Sequence, residues 1–264
     1  MKSLLLSLLT ILALVPACNS CVAAIAAEHS LHTGTFNVLR VEGSIAVDLR
    51  QQPDSAGIVK IYASDRAMPG VSVTCTDGTL SVSYKAESAL HNYAAEVERV
   101  VVYCGRDMRQ ISLTGSGSVN ARGINSTTEI TAVVTGSGAM RLYSPHCLNL
   151  TASLTGSGAM MLDAVKARNV STSVTGSGAL KVDALDATSF NCTLSGSGSV
   201  RVAGNTGKAS LALRGSGSLN ASDLNASSLG ISVSGSGIIR YNPATANIKT
   251  VSGRIDGRGN ATNN

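Results

Sequence analysis

The sequence predicts an all-β protein: a right-handed parallel β-helix with coils of about 20 residues and an N-terminal β cap. Three observations support this prediction. A Gly-Ser-Gly triplet recurs at a nearly constant interval, apolar and polar residues alternate around each triplet, and small and β-branched residues dominate the composition. Charged residues make up 14% and aromatic residues 3% of the 264 residues. Such a composition favours short strands and turns over helices.

The triplet occurs seven times, with steps of 21, 20, 20, 20, 19 and 20 residues. The copies begin at Gly115, Gly136, Gly156, Gly176, Gly196, Gly215 and Gly235. An internal repeat of this period is typical of a solenoid, whereas a phosphate-binding loop is not repeated along a chain. Each triplet is therefore predicted to be a sharp corner, where glycine permits a positive φ. A degenerate eighth copy is predicted at VSGRI, residues 251–255.

Apolar residues stand at fixed positions relative to every triplet. The position two residues after it holds Val119, Met140, Met160, Leu180, Val200, Leu219 and Ile239. The positions two residues before and four residues after each triplet are also mostly apolar, and the residues between these positions are mostly polar. This period of two indicates strands with one buried face. A coil of about 20 residues is too short for a strand, a helix and a second strand. Equivalent strands are therefore expected to stack in parallel, and parallel crossovers are almost always right-handed.

The first 27 residues are predicted to be an export signal, because Lys2 precedes an apolar run that is too short to span a bilayer comfortably. Two endings are compatible with this segment. One is a lipoprotein box in which Cys18 carries the lipid, and the other is cleavage in the small-residue stretch that ends at Ala27. Both place the protein in the cell envelope or outside the cell. A membrane contact is expected only through the N-terminal lipid.

Residues 34–255 are predicted to form a single domain with two parts. Residues 34–112 form an N-terminal β part that closes the strand edge of the first coil, and residues 113–255 form the triplet coils. In the first part, Asp77-Gly78 between two alternating runs predicts a β-hairpin. Residues 256–264 have no apolar pattern and are predicted to be a disordered tail.

Four cysteines follow the leader. An oxidising compartment permits disulfides, and Cys75 and Cys104 both lie in strand-like runs, so these two are candidates for a disulfide. Cys147 and Cys192 are equally compatible with free buried thiols. The spacing of the four fits no metal site, and neither a metal nor another cofactor is predicted.

Several stretches together resemble the "head GIN" domain family of putative auto-transporter adhesins. They are the alternating FNVLRVEGSIAVDL, the hairpin DGTLSVSY, the strand before ISLTGSG and the successive triplet coils. Gly123-Ile124-Asn125 matches the tripeptide in the family name. The resemblance covers residues 34–255. It implies a β-helix fold and an exported protein of Bacteroidetes-type bacteria.

One column of the repeat, three residues after each triplet, is rich in cations. Arg141, Lys181, Arg201 and Arg240 occupy four of its seven positions. Together with a pI near 9.0, this column makes anionic glycans or other cell-surface components candidate partners. The alternative interpretation is that these charges only keep a β-rod soluble and block edge association. Nucleic acid is not expected, because few aromatic side chains are present for base stacking.

A polysaccharide-degrading enzyme is the alternative function, since acidic residues could act as catalysts. Asp163 and Asp183 both follow their triplets by five residues, so they are expected to stack on adjacent coils. The repeats have nearly equal lengths, however, and no loop insertion forms a cleft around the pair. The sequence therefore favours a non-enzymatic exported β-helix that acts as an adhesin, glycan-binding module or scaffold. A purely structural spacer is a further alternative.

Overall fold

The computed structural model describes residues 27–85, 97–241, 251–257 and 260–263. Over these ranges the chain forms twenty β-strands and two 3-10 turns, and it contains no α-helix. In the same ranges, no helix is long and apolar enough to cross a membrane. Residues 1–26 of the predicted leader lie outside the described residues. The signal peptide and the lipidation of Cys18 therefore stay predictions.

The regular coils begin at residue 110. Their strands are β8 (Gln110–Gly115), β9 (Ser118–Arg122), β10 (Glu129–Gly136), β11 (Ala139–Tyr143), β12 (His146–Gly156), β13 (Ala159–Asp163), β14 (Lys166–Gly176), β15 (Ala179–Gly196), β16 (Ser199–Gly215), β17 (Ser218–Gly235), β18 (Ile238–Tyr241), β19 (Val251–Gly257) and β20 (Asn260–Asn263). Equivalent strands pair in parallel from coil to coil, as β10, β12 and β14 do. The prediction of a parallel β-helix with coils of about 20 residues is therefore confirmed.

Seven strands precede these coils. They are β1 (Ala27–His32), β2 (Val38–Gly43), β3 (Ala46–Gln51), β4 (Ile58–Ala63), β5 (Val71–Thr76), β6 (Thr79–Tyr84) and β7 (Val97–Cys104), with 3-10 turns at Pro53–Ser55 and Met68–Gly70. The predicted hairpin is present, because Asp77 and Gly78 join the antiparallel strands β5 and β6 with φ values of 49° and 70°.

The Gly-Ser-Gly triplets form one corner of the coil. In each triplet, the backbone N–H of the serine donates to the carbonyl oxygen of the first glycine in the coil before, and in five of the seven triplets the N–H of the second glycine donates to the same oxygen. The donors Ser157 and Gly158, for example, both lie 3.0 Å from the oxygen of Gly136. The first glycine of every triplet has a φ between 111° and 120°. Each triplet therefore uses its first glycine for the backbone angle and both glycines for close stacking on the coil before.

The core is a set of apolar columns that run along the solenoid axis. One column contains Ile130, Leu150, Val170 and Phe190, which are all at most 1% exposed. Another contains Met140, Met160, Leu180 and Val200, which are at most 3% exposed. Every inward side chain packs on its equivalents in the adjacent coils, so the hydrophobic effect stabilises the stack one coil at a time.

The N-terminal part differs from a simple cap. Strands β2 and β3 pair in parallel with β8 and β9, and Gly43 stands in register with Gly115. These strands therefore form the first true coil, with Gly43-Ser44-Ile45 at its corner. Strands β6 and β7 pair with the other edges of β2 and β3 and add a further layer. Antiparallel strands β5, β4 and β1 then close this end, which agrees with the predicted closing role.

The expected disulfide between Cys75 and Cys104 is not formed, and both residues are free thiols. Cys75 lies on the outer hairpin strand β5, where its Sγ is 3.6 Å from the carbonyl oxygen of Gly34. Cys104 ends β7, a strand that pairs with β3 and β4 rather than with the hairpin. The two cysteines thus belong to different sides of the N-terminal layers, although both lie in strands as predicted.

The C-terminal residues also differ from the prediction. Gly257, rather than a residue of the VSGRI stretch, stands in register with Gly235, so Gly257 is the equivalent of a triplet's first glycine in this last coil. Strand β20 falls within the predicted disordered tail and pairs in parallel with β18. This strand forms through backbone pairing with the preceding coil. Such pairing leaves no apolar pattern in the sequence, so the strand could not be predicted.

Candidate binding groove

The predicted cationic column exists as a continuous row of outward positions. Parallel pairing places each member opposite the next, and the row extends one coil further than expected. It consists of Asp48, Asn120, Arg141, Met161, Lys181, Arg201, Asn220 and Arg240. At a strand spacing of about 4.8 Å, Arg141 and Arg240 lie about 24 Å apart along the axis.

Small residues form a second row beside this one, directly after the triplet corner. They are Ala139, Ala159, Ala179, Ser199 and Ser218. Because the long side chains of the cationic row stand beside this row of short ones, a shallow groove of about 430 Å³ runs along the solenoid over these coils. We call this feature the axial groove. All four predicted cations, Arg141, Lys181, Arg201 and Arg240, line it.

Two of the four cations are paired with carboxylates. Lys181 forms an ion pair with Asp183 two residues further along the same strand face. Nη2 of Arg201 lies 2.6 Å from Oδ2 of Asp223, which belongs to the next coil. The cationic side chains remain 49% and 55% exposed, so water screens both pairs and each contributes little to stability. The positive charge of the groove is therefore partly compensated in the free protein.

The other two cations, which are the first and the last of the four along the row, have no carboxylate partner among the described residues. Arg141 takes part in no ion pair there, and Nη1 of Arg240 is 3.4 Å from the hydroxyl oxygen of Ser218. Met161 lies between Arg141 and Lys181, so it adds an apolar contact in the middle of the groove.

The candidate acidic pair of a degradative enzyme also lies in register. Asp163 and Asp183 are directly opposite each other on β13 and β15. Asp183 is engaged by Lys181, however, and both carboxylates lie outside the residues that line the axial groove. No group of histidine, cysteine or acidic side chains that could hold a metal ion occurs within the described ranges.

The sequence alone missed the partner of Arg201. Asp223 reaches this arginine because the register shifts by one residue between Arg201 and Ala203, where β16 meets β17. The only signal of this irregularity in the sequence is the 19-residue step between Gly196 and Gly215. Gly204, with a φ of 130°, is the corner where the shorter coil turns.

Residues 35–263 match the family model described as "Putative auto-transporter adhesin, head GIN domain". The chain belongs to this family. The earlier resemblance is thereby confirmed, and the head GIN domain covers both the N-terminal layers and the triplet coils. A comparison with curated proteins finds no match.

Solved structures from Bacteroidetes share the fold of this head GIN domain. A putative adhesin from Parabacteroides merdae is 16% identical with a TM-score of 0.74, and the alignment covers 92% of this chain and 97% of that one. A putative lipid binding protein from Parabacteroides distasonis is 19% identical with a TM-score of 0.75, over 92% and 98% of the two chains. A putative adhesin from Bacteroides fragilis is 18% identical with a TM-score of 0.64, over 90% and 96%. At these identities the similarity concerns the fold.

Proposed function

We propose that this protein is a non-enzymatic, exported adhesion module that binds extended anionic polysaccharides along the axial groove. One observation carries the proposal. The outward row from Arg141 to Arg240 is continuous and in register, and it lies beside a floor of small residues that lets a polymer approach the sheet. The adhesin description of the family and of two structural neighbours supports the same role and an exposed location at the cell envelope or outside the cell.

The shape of the groove favours a polymer over a small molecule. It is shallow and open, and its cations are distributed over about 24 Å of the axis. A single exposed ion pair contributes only about 0.2–1 kcal/mol. A linear polyanion that meets several such charges at once gains from multivalency, so useful binding needs a chain of several sugars.

The ion pairs of Lys181 and Arg201 set the expected strength. A polyanion must compete with Asp183 and Asp223 for these two cations, whereas no carboxylate of the described ranges pairs with Arg141 or Arg240. Binding is therefore expected to be micromolar or weaker and to fade as salt screens the charges.

Retention on immobilised heparin, with a neutral glucan as the reference, tests the proposal. The double variants Lys181→Ser with Arg201→Ser and Arg141→Ser with Arg240→Ser should both elute at lower salt than the wild type. The variant Lys208→Ser with Arg214→Ser is the matched control, because it removes two exposed cations from a different face of the coil. Equal retention of all three variants would contradict the proposal and favour a structural spacer.

A further inference from the structure

A second cleft lies where the N-terminal layers meet the regular coils. Its volume is about 690 Å³, compared with about 430 Å³ for the axial groove. Four segments meet there: the end of β3 with the turn after it, the β7–β8 loop, the β9–β10 loop and the start of β12. This is where the regular stacking of coils is interrupted. Irregular loops on a rigid scaffold are where binding sites commonly occur. We call this feature the junction cleft.

Side-chain hydrogen bonds hold the walls of the junction cleft in place. The amide of Gln51 donates to the carbonyl oxygens of Gly105 at 3.1 Å and Asn125 at 3.0 Å, and its Oε1 accepts from the Asn125 backbone N–H at 2.6 Å. On the opposite side, Oδ1 of Asp107 accepts from the backbone N–H of Thr127 at 3.3 Å and from its hydroxyl at 3.2 Å. These contacts tie the end of β3 and two loops together, so the cleft is preorganised.

An exposed leucine forms the apolar part of the junction cleft. Leu148 is 50% exposed, and no other large hydrophobic side chain among the described residues is exposed to this degree. It also lines the adjoining shallow cleft together with Lys166 and Arg168. In the free protein, this apolar side chain is in contact with water. A ligand with an apolar body would remove that surface from water at a gain of about 25 cal/mol per Å².

A cation lies in the same cleft. Arg106 is one of its lining residues, and no hydrogen bond or ion pair joins this side chain to another residue in the described ranges. His146 lines the cleft beside Leu148. Among the described residues that line it, Asp107 has the one carboxylate, which already accepts the two bonds from Thr127. A guanidinium with free donors is suited to bind a carboxylate through two parallel hydrogen bonds.

We infer that the junction cleft binds a small organic carboxylate with an apolar body, with the carboxylate on Arg106 and the apolar body on Leu148. The volume lies in the range of pockets that hold small molecules, and an apolar contact beside a single charged group is the usual arrangement in such pockets. This site is separate from the axial groove, because the two share no lining residue.

Calorimetric titration of the full chain with octanoate tests the inference, and 1-octanol and acetate serve as matched probes. Octanol keeps the apolar chain without the charge, and acetate keeps the charge without the chain. Octanoate should bind saturably to one site and at least about tenfold more tightly than either probe, because only octanoate satisfies both contacts. The absence of saturable octanoate binding, or equal affinity for octanol, would overturn the inference.

Variants then assign the contacts. Arg106→Gln and Leu148→Ser should each weaken octanoate binding about tenfold, whereas Leu148→Met, which keeps an apolar side chain, and Arg214→Gln, which removes an exposed cation elsewhere, should bind normally. Thermal unfolding should be nearly unchanged in all four, since none of these side chains is buried. Wild-type affinity in Arg106→Gln would overturn the inference. Heparin retention of Arg106→Gln is measured as well, because it tests the axial groove and not the junction cleft.

Discussion

Gly176 lies directly against the backbone of Gly156 in the preceding coil: a Cβ added to Gly176 would be 2.6 Å from the carbonyl oxygen of Gly156. That distance is shorter than real Cβ contacts, and the φ of Gly176 is 111°, where side chains are strained. The same oxygen accepts a hydrogen bond from the backbone N–H of Ser177, so it cannot move away without breaking this bond. The corner is therefore sensitive to any side chain at its first position.

Gly176→Val should lower the free energy of unfolding by about 1–3 kcal/mol because it forces an unfavourable backbone angle at a tightly stacked corner. Chemical denaturation followed by circular dichroism measures this loss. Ser177→Ala is the matched control, since Ser177 is the exposed middle residue of the same triplet and should change stability little. An unchanged midpoint for Gly176→Val would mean that the corner tolerates side chains.

Phe190 stacks directly on Ala209 in the next coil, and the large and small side chains share one core column. Phe190 is completely buried, so Phe190→Ala should lower the free energy of unfolding by about 3–5 kcal/mol. The swapped double variant Phe190→Ala with Ala209→Phe keeps the total volume of the column and should recover part of this loss. A double variant that is less stable than Phe190→Ala would show that the two positions are not exchangeable.

The buried thiols should be unreactive in the folded protein. Burial raises the pKa of Cys104 to about 12 and the pKa values of Cys147 and Cys192 to about 11. Iodoacetamide at pH 8 should therefore modify Cys75 first, because Cys75 is only half-buried, and peptide mass spectrometry resolves each site. Denatured protein is the control, in which all four should react. Early modification of Cys192 would contradict the structure.

The same thiols predict a loss of stability at high pH. Their pKa values are higher in the folded chain than the ordinary value of 9.0, so the folded state keeps protons that the unfolded state releases. The stabilising contribution is complete below pH 9. It declines as the pH rises through about 11. Urea midpoints measured between pH 8 and 11 should fall accordingly, and a flat profile would contradict the raised pKa values.

Removing the competing carboxylates should strengthen polyanion binding in the axial groove. Asp183→Asn with Asp223→Asn frees Lys181 and Arg201 from their ion pairs, so this variant should elute from heparin at higher salt than the wild type. Asp54→Asn with Asp186→Asn changes the net charge equally at exposed positions outside the axial groove and is the control. If both variants shift equally, net charge rather than the groove governs retention.

The regular part of the fold could be predicted from the sequence because each coil repeats the same local requirements. Two glycines per corner and alternating apolar residues recur in every copy, and the row from Arg141 to Arg240 follows directly from that register. The stacking of Asp183 on Asp163 was predicted, but its ion pair with Lys181, two residues earlier on the same strand face, was not. The partner of Arg201 could not be predicted, because it depends on a one-residue shift between neighbouring coils.

The first coil escaped prediction for a similar reason. Its corner, Gly43-Ser44-Ile45, lacks the second glycine, and 72 residues separate Gly43 from Gly115, its equivalent in the next coil. The pairing between them is a tertiary contact that no local pattern reveals. The junction cleft depends on the same long-range contact, since Gln51 of the first coil binds Asn125 of the next. The repeats therefore predict the axial groove, whereas they contain no information on the junction cleft.

The position of β2 has a consequence for how the chain folds. Its two neighbours, β6 and β8, both come later in the sequence. Strand β2 therefore cannot complete its pairing until both later strands have been brought to it. Closing these long intervening loops costs entropy before any pairing compensates for it, whereas each later coil needs only the one before it. Formation of the N-terminal layers is thus expected to be the slow, nucleating step of folding. The remaining coils are then expected to add one after another, each on the coil before it.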